Sequence, residues 1–176
     1  MSDQCHAWLP RGGVSIILRC TRQRCTGPSV SNSDRRHEVR DTNTDMLKAT
    51  ENWIAQVDYD LATAEHMLHA GRYIYVISMS HMALEKTLKA LVTEETQRLP
   101  PRTHNLIDLA QRGRPNLSQA QRDFIGQLNN ASIGVRYPDD LAQMVTQYPA
   151  TVARAYVEQT REIIAWLRPD PRLQTS

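Results

Sequence analysis

Ile54, Val57, Leu61, Ala64 and Leu68 step by three and four residues. That spacing returns an apolar side chain to one face at every turn of an α-helix, and it defeats the period of two that a strand requires. The same rhythm resumes through the rest of the chain, and each stretch is closed by Gly or Pro. No segment alternates apolar and polar residues between hairpin turns. The expected fold class is therefore all-α, an antiparallel up-and-down bundle of four to five helices.

The first helix is expected over about residues 51–70, with Gly71 as its C-terminal cap. The connection to the next helix is then very short, which forces the two to lie antiparallel. The second helix is expected over about residues 72–98. Ile77, Leu84, Leu88 and Leu91 form its main stripe, and Val76, Met79, Ala83 and Ala90 form a second apolar side. A helix apolar on two sides is either central in its bundle or shared with a second subunit. Pro100 and Pro101 stop it. Thr103 is the candidate N-cap of a third helix carrying Leu106, Ile107, Leu109 and Ala110, which ends at Gly113. Ser118 and Gln121 form a capping box for a fourth helix that carries Phe124, Ile125 and Leu128 and ends at Gly134. The last helix opens around Pro149 and ends before Pro169 and Pro171. Val152, Tyr156, Ile163, Trp166 and Leu167 are its candidate core residues.

Residues 1–45 differ in character. They contain seven Arg and no Lys against five acidic residues, whereas residues 46–176 hold fourteen basic and fourteen acidic ones. The whole formal charge of +2 thus belongs to the head. Its composition cannot bury much apolar surface and is expected to be disordered. The change at Met46 is abrupt enough that Met46 is a candidate true translation start, which leaves a domain over residues 46–170 and a tail over 171–176. A neutral body argues against strong non-specific nucleic-acid binding, which rests on many phosphate contacts, yet leaves room for one focused phosphate site.

Cys5, Cys20 and Cys25 all lie in the head, and their odd number and spacing do not read as a disulfide framework. With no second pair and no nearby His, they argue against zinc, and no metal or cofactor is expected. No apolar run reaches the roughly 18–20 residues of a membrane span, and Val14–Leu18 is too short for the core of a secretory signal. A cytoplasmic location is expected.

Three polar patches stand out. His81, Glu85 and Lys89 fall four residues apart on one face of the second helix, with Lys86 beside them. They form either a solvated stripe with a Glu–Lys pair or one wall of a polar groove. The turn Thr103-His104-Asn105-Leu106 opens the third helix, where free backbone N–H groups would suit a phosphate. Arg136-Tyr137-Pro138-Asp139 follows Gly134. Arg there grips a phosphate or closes a loop against Asp139, while Tyr137 stacks or packs. No catalytic nucleophile arrangement, Gly-rich phosphate loop or HExxH is present.

These pieces together resemble the HEPN family, the higher eukaryote and prokaryote nucleotide-binding domains. The resemblance spans about residues 53–167. It is carried by Trp53 with Asp58-Tyr59-Asp60-Leu61, by His81-Met-Ala-Leu-Glu85-Lys86-Thr-Leu-Lys89-Ala, by Pro101-Arg-Thr103-His104-Asn105-Leu106, and by Arg136-Tyr137-Pro138-Asp139. It implies a helical bundle, usually a homodimer, working beside a minimal nucleotidyltransferase in a toxin–antitoxin-like module. Many such proteins are metal-independent ribonucleases using an Arg followed, four to six residues on, by a His near the start of the last helix. Here Arg136 occupies the Arg position, but Leu141, Ala142 and Gln143 stand where the His would fall. Arg98 and His104 match the spacing only in the connection between the second and third helices. The reading that follows is a nucleotide- or RNA-phosphate-binding subunit presenting Lys86, Lys89, His104, Asn105, Arg136 and Tyr137, with enzymatic activity left open. The alternatives are a ribonuclease toxin pairing Arg136 with His104 or His81, and a dimeric interaction bundle without chemistry.

Overall fold

A computed structural model describes residues 42–174. Residues 1–41 of the head expected to be disordered, its three cysteines included, lie outside that range, whereas residues 42–45 belong to the first helix. Six α-helices follow one another: α1 Thr42–His69, α2 Tyr73–Thr96, α3 Leu106–Gly113, α4 Gln119–Arg136, α5 Leu141–Gln147 and α6 Ala150–Leu167. A 3₁₀ turn, Pro171–Leu173, closes the described chain, and no strand occurs among these residues. The all-α expectation holds.

α2 is the central element. It packs against α1, α3, α4 and α6, and fifteen of its 24 residues are buried. The two apolar sides legible in its sequence are thus both used inside this chain: Ile77, Leu84, Leu88 and Leu91 join the main core, while Val76 packs with Ala64, Ala153 and Val157 in a smaller one. Gly71 makes the α1–α2 reversal. Its φ of 70° is the left-handed conformation that costs a glycine little. Around it the Arg72 N–H bonds the Met67 carbonyl at 2.8 Å and the Gly71 N–H bonds that of Leu68 at 3.2 Å, the paired closure of a Schellman end. α6 lies antiparallel to α1, tied by ion pairs from Arg161 to Glu65 and from Arg168 to Asp58.

Several boundaries differ from the sequence-based expectations. α1 begins at Thr42 rather than near Glu51, because no Gly or Pro interrupts the segment before the apolar stripe. α2 ends at Thr96 rather than Arg98, with Gln97 turned left-handed at φ 52° ahead of the two prolines. Asn105, not Thr103, caps α3: its side-chain oxygen accepts from the Ile107 and Asp108 N–H groups. Thr103 instead accepts from the Asn105 N–H within the preceding turn. The Ser118–Gln121 capping box of α4 is present as expected. α4 runs through Gly134 to Arg136, since one glycine inside a helix costs only about 1 kcal/mol and Val135 is buried one residue on. Asp140 then caps the short α5, which the sequence pattern missed; seven residues are too few to show a period. Trp166, expected in the core, is 58% exposed. Its indole N–H donates to the Asn116 carbonyl at 2.8 Å, so it lies over the α3–α4 connection instead.

Two glycines make opposite predictions. A Cβ on Gly113 would stand 3.2 Å from Leu91 Cβ and 3.3 Å from the Val92 backbone nitrogen, atoms of α2 that cannot retreat. A Cβ on Gly126 would meet nothing within 4 Å. Gly113→Ala is expected to destabilise the fold by about 1–3 kcal/mol, and Gly126→Ala to stabilise it by about 0.5–1 kcal/mol. Urea unfolding followed by circular dichroism measures both.

Candidate functional site

Halfway along α2 the central helix turns polar without becoming exposed. His81, Glu85 and Lys89 are 1%, 6% and 8% exposed. The solvated-stripe reading is therefore wrong: Trp53 of α1, His104 of the α2–α3 connection and Arg136 of α4 pack on this face. Burial of an ionised group is costly unless it is paired, and each charge here has a partner. The Lys89 ammonium lies 2.7 Å from Glu85 Oε1 and 5.4 Å from the centre of the Trp53 ring of α1, a cation–π contact. Lys86 donates to Asp60 of α1 at 2.6 Å.

Glu85 gathers the remaining groups. His104 arrives from the α2–α3 connection with Nδ1 3.0 Å from both carboxylate oxygens. A carboxylate only accepts, so Nδ1–H donates and Nε2 is left facing outward on a side chain that is 68% exposed. Burial opposes ionisation of Glu85, but hydrogen bonds from Lys89 and His104 more than offset it and hold the carboxyl below its ordinary value of 4.5. His81 Nδ1 stands 3.8 Å from Glu85 Oε2. On its other side, Arg136 Nη2 approaches His81 Nδ1 at 3.1 Å. A guanidinium only donates, so Nδ1 carries no proton and the ring is neutral. Burial and the Arg136 charge both favour that form and lower the His81 pKa from 6.5 to about 4.

The arrangement brings together residues from three separated stretches of sequence. His81, Glu85, His104 and Arg136 form one connected chain of side chains, although the expected Arg-to-His spacing near the last helix is absent. Arg136 takes its partner from α2 rather than from Asp139. Tyr137, the C-cap of α4, is 81% exposed and free to stack. The turn before α3 does not offer the N–H groups expected of a phosphate site. Leu106 N–H donates to Asn129 Oδ1 at 3.0 Å, and the next two are taken by Asn105. Asn105 is therefore a cap that fixes His104, and Lys86 and Lys89 are engaged in ion pairs. Asn129 and Asp60 went unnoticed as site residues. Asn129 carries a usable signal, a polar residue on the same α4 face as Ile125 and Leu128.

The charges sum simply. Asp60 balances Lys86, Glu85 balances Lys89, and His81 is neutral. The Arg136 charge is left over at the surface, against the neutral His81 ring. Among the described residues no three His, Cys, Asp or Glu side chains are grouped to hold a metal ion, and Lys89 and Arg136 already occupy the Glu85 and His81 atoms that such an ion would need.

A family model for the HEPN domain matches residues 50–169. The chain belongs to the HEPN family. Among solved structures it is similar to TT1696 from Thermus thermophilus, with a TM-score of 0.59 at 21% identity over 68% of this chain and 95% of that one. It is also similar to ST0689, an archaeal HEPN homologue, with a TM-score of 0.57 at 19% identity over 71% and 98% of the two chains. At these identities the likeness establishes the shared fold. No curated protein matches the sequence.

The buried histidine is expected to make the bundle acid-sensitive. A folded-state pKa near 4 against 6.5 means that the unfolded chain binds the extra proton first as pH falls. The stabilisation is complete above about pH 6.5 and is lost as pH drops through 4. At about 1.36 kcal/mol per unit, roughly 3 kcal/mol is at stake. Thermal melts from pH 7 to pH 4 are expected to show this loss, and His81→Asn is expected to flatten it.

Proposed function

We propose that this HEPN domain binds a nucleotide or RNA phosphate at Arg136, with His104 and Tyr137 completing the contact surface. The observation that carries the proposal is the leftover cation: Arg136 rests on a neutral imidazole, so its charge is unspent. Arg offers two or more parallel N–H donors to a phosphate, and charge-assisted bonds of that kind are the strong ones. His104, held by Glu85, adds a second donor when protonated. Tyr137 supplies an exposed ring for a base. Lys86, Lys89 and Asn105 support the site from beneath: the lysines neutralise Asp60 and Glu85, and Asn105 fixes the His104 turn.

The proposal extends to a protein partner. Ile133 on α4, its C-cap Tyr137, and Leu141 and Val145 on α5 are all exposed within ten residues of Arg136, and α5 has no buried residue. An apolar surface next to a phosphate site suits a subunit that works under cover of another, either a second copy or a minimal nucleotidyltransferase in a toxin–antitoxin-like module. Among the described residues no helix is long and apolar enough to cross a membrane.

A second reading has one specific observation in its favour: His104 is held by the Glu85 carboxylate, on the helix whose His81 carries Arg136. In it, His104 Nε2 takes the proton from a ribose 2′-hydroxyl. The 2′-oxygen attacks phosphorus, the 5′-oxygen leaves and takes up a proton, and Arg136 stabilises the charge gathered on the phosphoryl oxygens. Titration of the purified full chain with ATP, GTP and a short RNA separates the readings. Arg136→Ala is expected to weaken binding by about tenfold or more, from the loss of roughly 1.5–3 kcal/mol of charged hydrogen bonding, with the RNA intact on a gel. RNA cut by the native chain and spared by His104→Ala would establish the ribonuclease instead. Absence of both binding and cleavage would contradict both.

A further inference from the structure

A second cationic groove lies at the far end of the α2–α3 pair. It has a volume of about 430 Å³ and is lined by Val92, Thr96, Arg98, Leu99, Pro101 and Arg112. A neighbouring groove of about 560 Å³ shares Thr96 and Arg112 and adds Gln111, Arg114 and the carboxylates of Glu95 and Asp108, so the unpaired cation of this region is Arg98 in the first groove. Two kinds of surface meet here. Leu99 is 71% exposed and lies with Pro101 along the groove, whose lining also includes Arg98 and Arg112. Arg98 has no carboxylate partner among the described residues. Arg112 bonds Asp108 at 2.9 Å through Nε, which leaves its terminal nitrogens available. Arg114 stands only 3.6 Å from Glu95, and Glu95 is also held by Arg172 at 2.9 Å.

The groove is joined to the phosphate site by the chain itself. Residues 98–105 descend from the end of α2 to the level of Glu85, where His104 docks. Thr96 and His81, the seat of Arg136, are fifteen residues apart on one helix, so the two arginine centres are separated by about 22 Å along α2. That span is longer than one nucleotide's phosphates reach. Arg102, also exposed, lies on the connection between them.

Building on the Arg136 phosphate site, we infer that the Arg98–Arg112 groove is a second subsite for the same ligand, which makes that ligand a single-stranded RNA segment rather than a mononucleotide. One phosphate sits at Arg136 and His104. The strand follows the connection past Arg102. Its distal nucleotide lays a base on Leu99 and Pro101 and its phosphate between Arg98 and Arg112. Apolar platforms flanked by cations are the general means of holding a single strand without reading its sequence.

The test measures affinity against length. Fluorescence anisotropy is recorded for labelled oligouridylates of about two to twelve nucleotides on the full chain, with uridine monophosphate as the mononucleotide probe. Affinity is expected to rise with length until the strand spans both centres. Arg98→Ala/Arg112→Ala is expected to reduce affinity for the long strands about tenfold and to lower the salt slope by about 1.4, two contacts at about 0.7 each. It is expected to leave monophosphate binding unchanged, and circular dichroism confirms that the variant is folded. Monophosphate binding with no length dependence would overturn the subsite and leave the Arg136 site standing. Displacement of the long strands by an acidic peptide through the same two arginines would overturn it in favour of a protein ligand. No binding at any length would sink the subsite together with the reading it builds on.

Discussion

The Glu85 carboxylate is the interaction on which the rest of this structure depends. It sits on the most buried helix of the bundle, and it is kept ionised there by the Lys89 ammonium at 2.7 Å and by His104 at 3.0 Å. The polar cluster of α2 is arranged around that one charge. Lys89 is drawn inward and packed over Trp53. His104 is pulled from its connecting loop against α2 with one ring nitrogen spent and the other free. His81 lies alongside, too buried to take up a second ring proton, and gives Arg136 a neutral seat. Removing one partner of such a buried pair typically costs about 3–5 kcal/mol, because the survivor is stranded in a poor solvent. The polar cluster is thus a structural commitment as well as a site. Its burial on α2 explains why a helix with two apolar sides also carries His, Glu and Lys at four-residue spacing.

Much of the fold was legible because helices announce themselves locally. The three-and-four step from Ile54 to Leu68 defines α1, the Ser118–Gln121 box starts α4, and Gly71 turns the chain with the left-handed φ that its identity suggests. The elements that were missed lacked such signals. α5 is too short to show a period. α4 passes through Gly134 because tertiary packing of Val135 outweighs a weak local penalty. Trp166 looks like core by composition, yet an indole N–H that finds the Asn116 carbonyl can stay at the surface. The choice of Asn105 over Thr103 as the α3 cap was open locally, since both are good caps. Asn129 contributes nothing to that decision in sequence, but in space it holds the Leu106 N–H and fixes where the helix begins.

The candidate site was legible in its membership more than in its organisation. His81, Glu85, Lys89, His104 and Arg136 were each marked by residue type and position. That His81 is buried, that Lys86 and Lys89 are neutralised, and that Arg136 faces His81 rather than Asp139 are consequences of three-dimensional packing across α1, α2 and α4. The missing His near the last helix illustrates the same point: the two imidazoles of the candidate site, His81 and His104, come from α2 and from the α2–α3 connection.

The central claim is that His81 is a neutral, buried seat that leaves the Arg136 charge unspent for an anion. Nitrogen-15 NMR of the histidine side chains, recorded through a pH titration with and without uridine monophosphate, tests it most directly. The account predicts a His81 ring with Nδ1 unprotonated that stays neutral until the pH approaches 4, and a His104 ring whose signals move when the nucleotide is added. A His81 that takes up its proton near pH 6.5, with no response of either ring to the nucleotide, would contradict it.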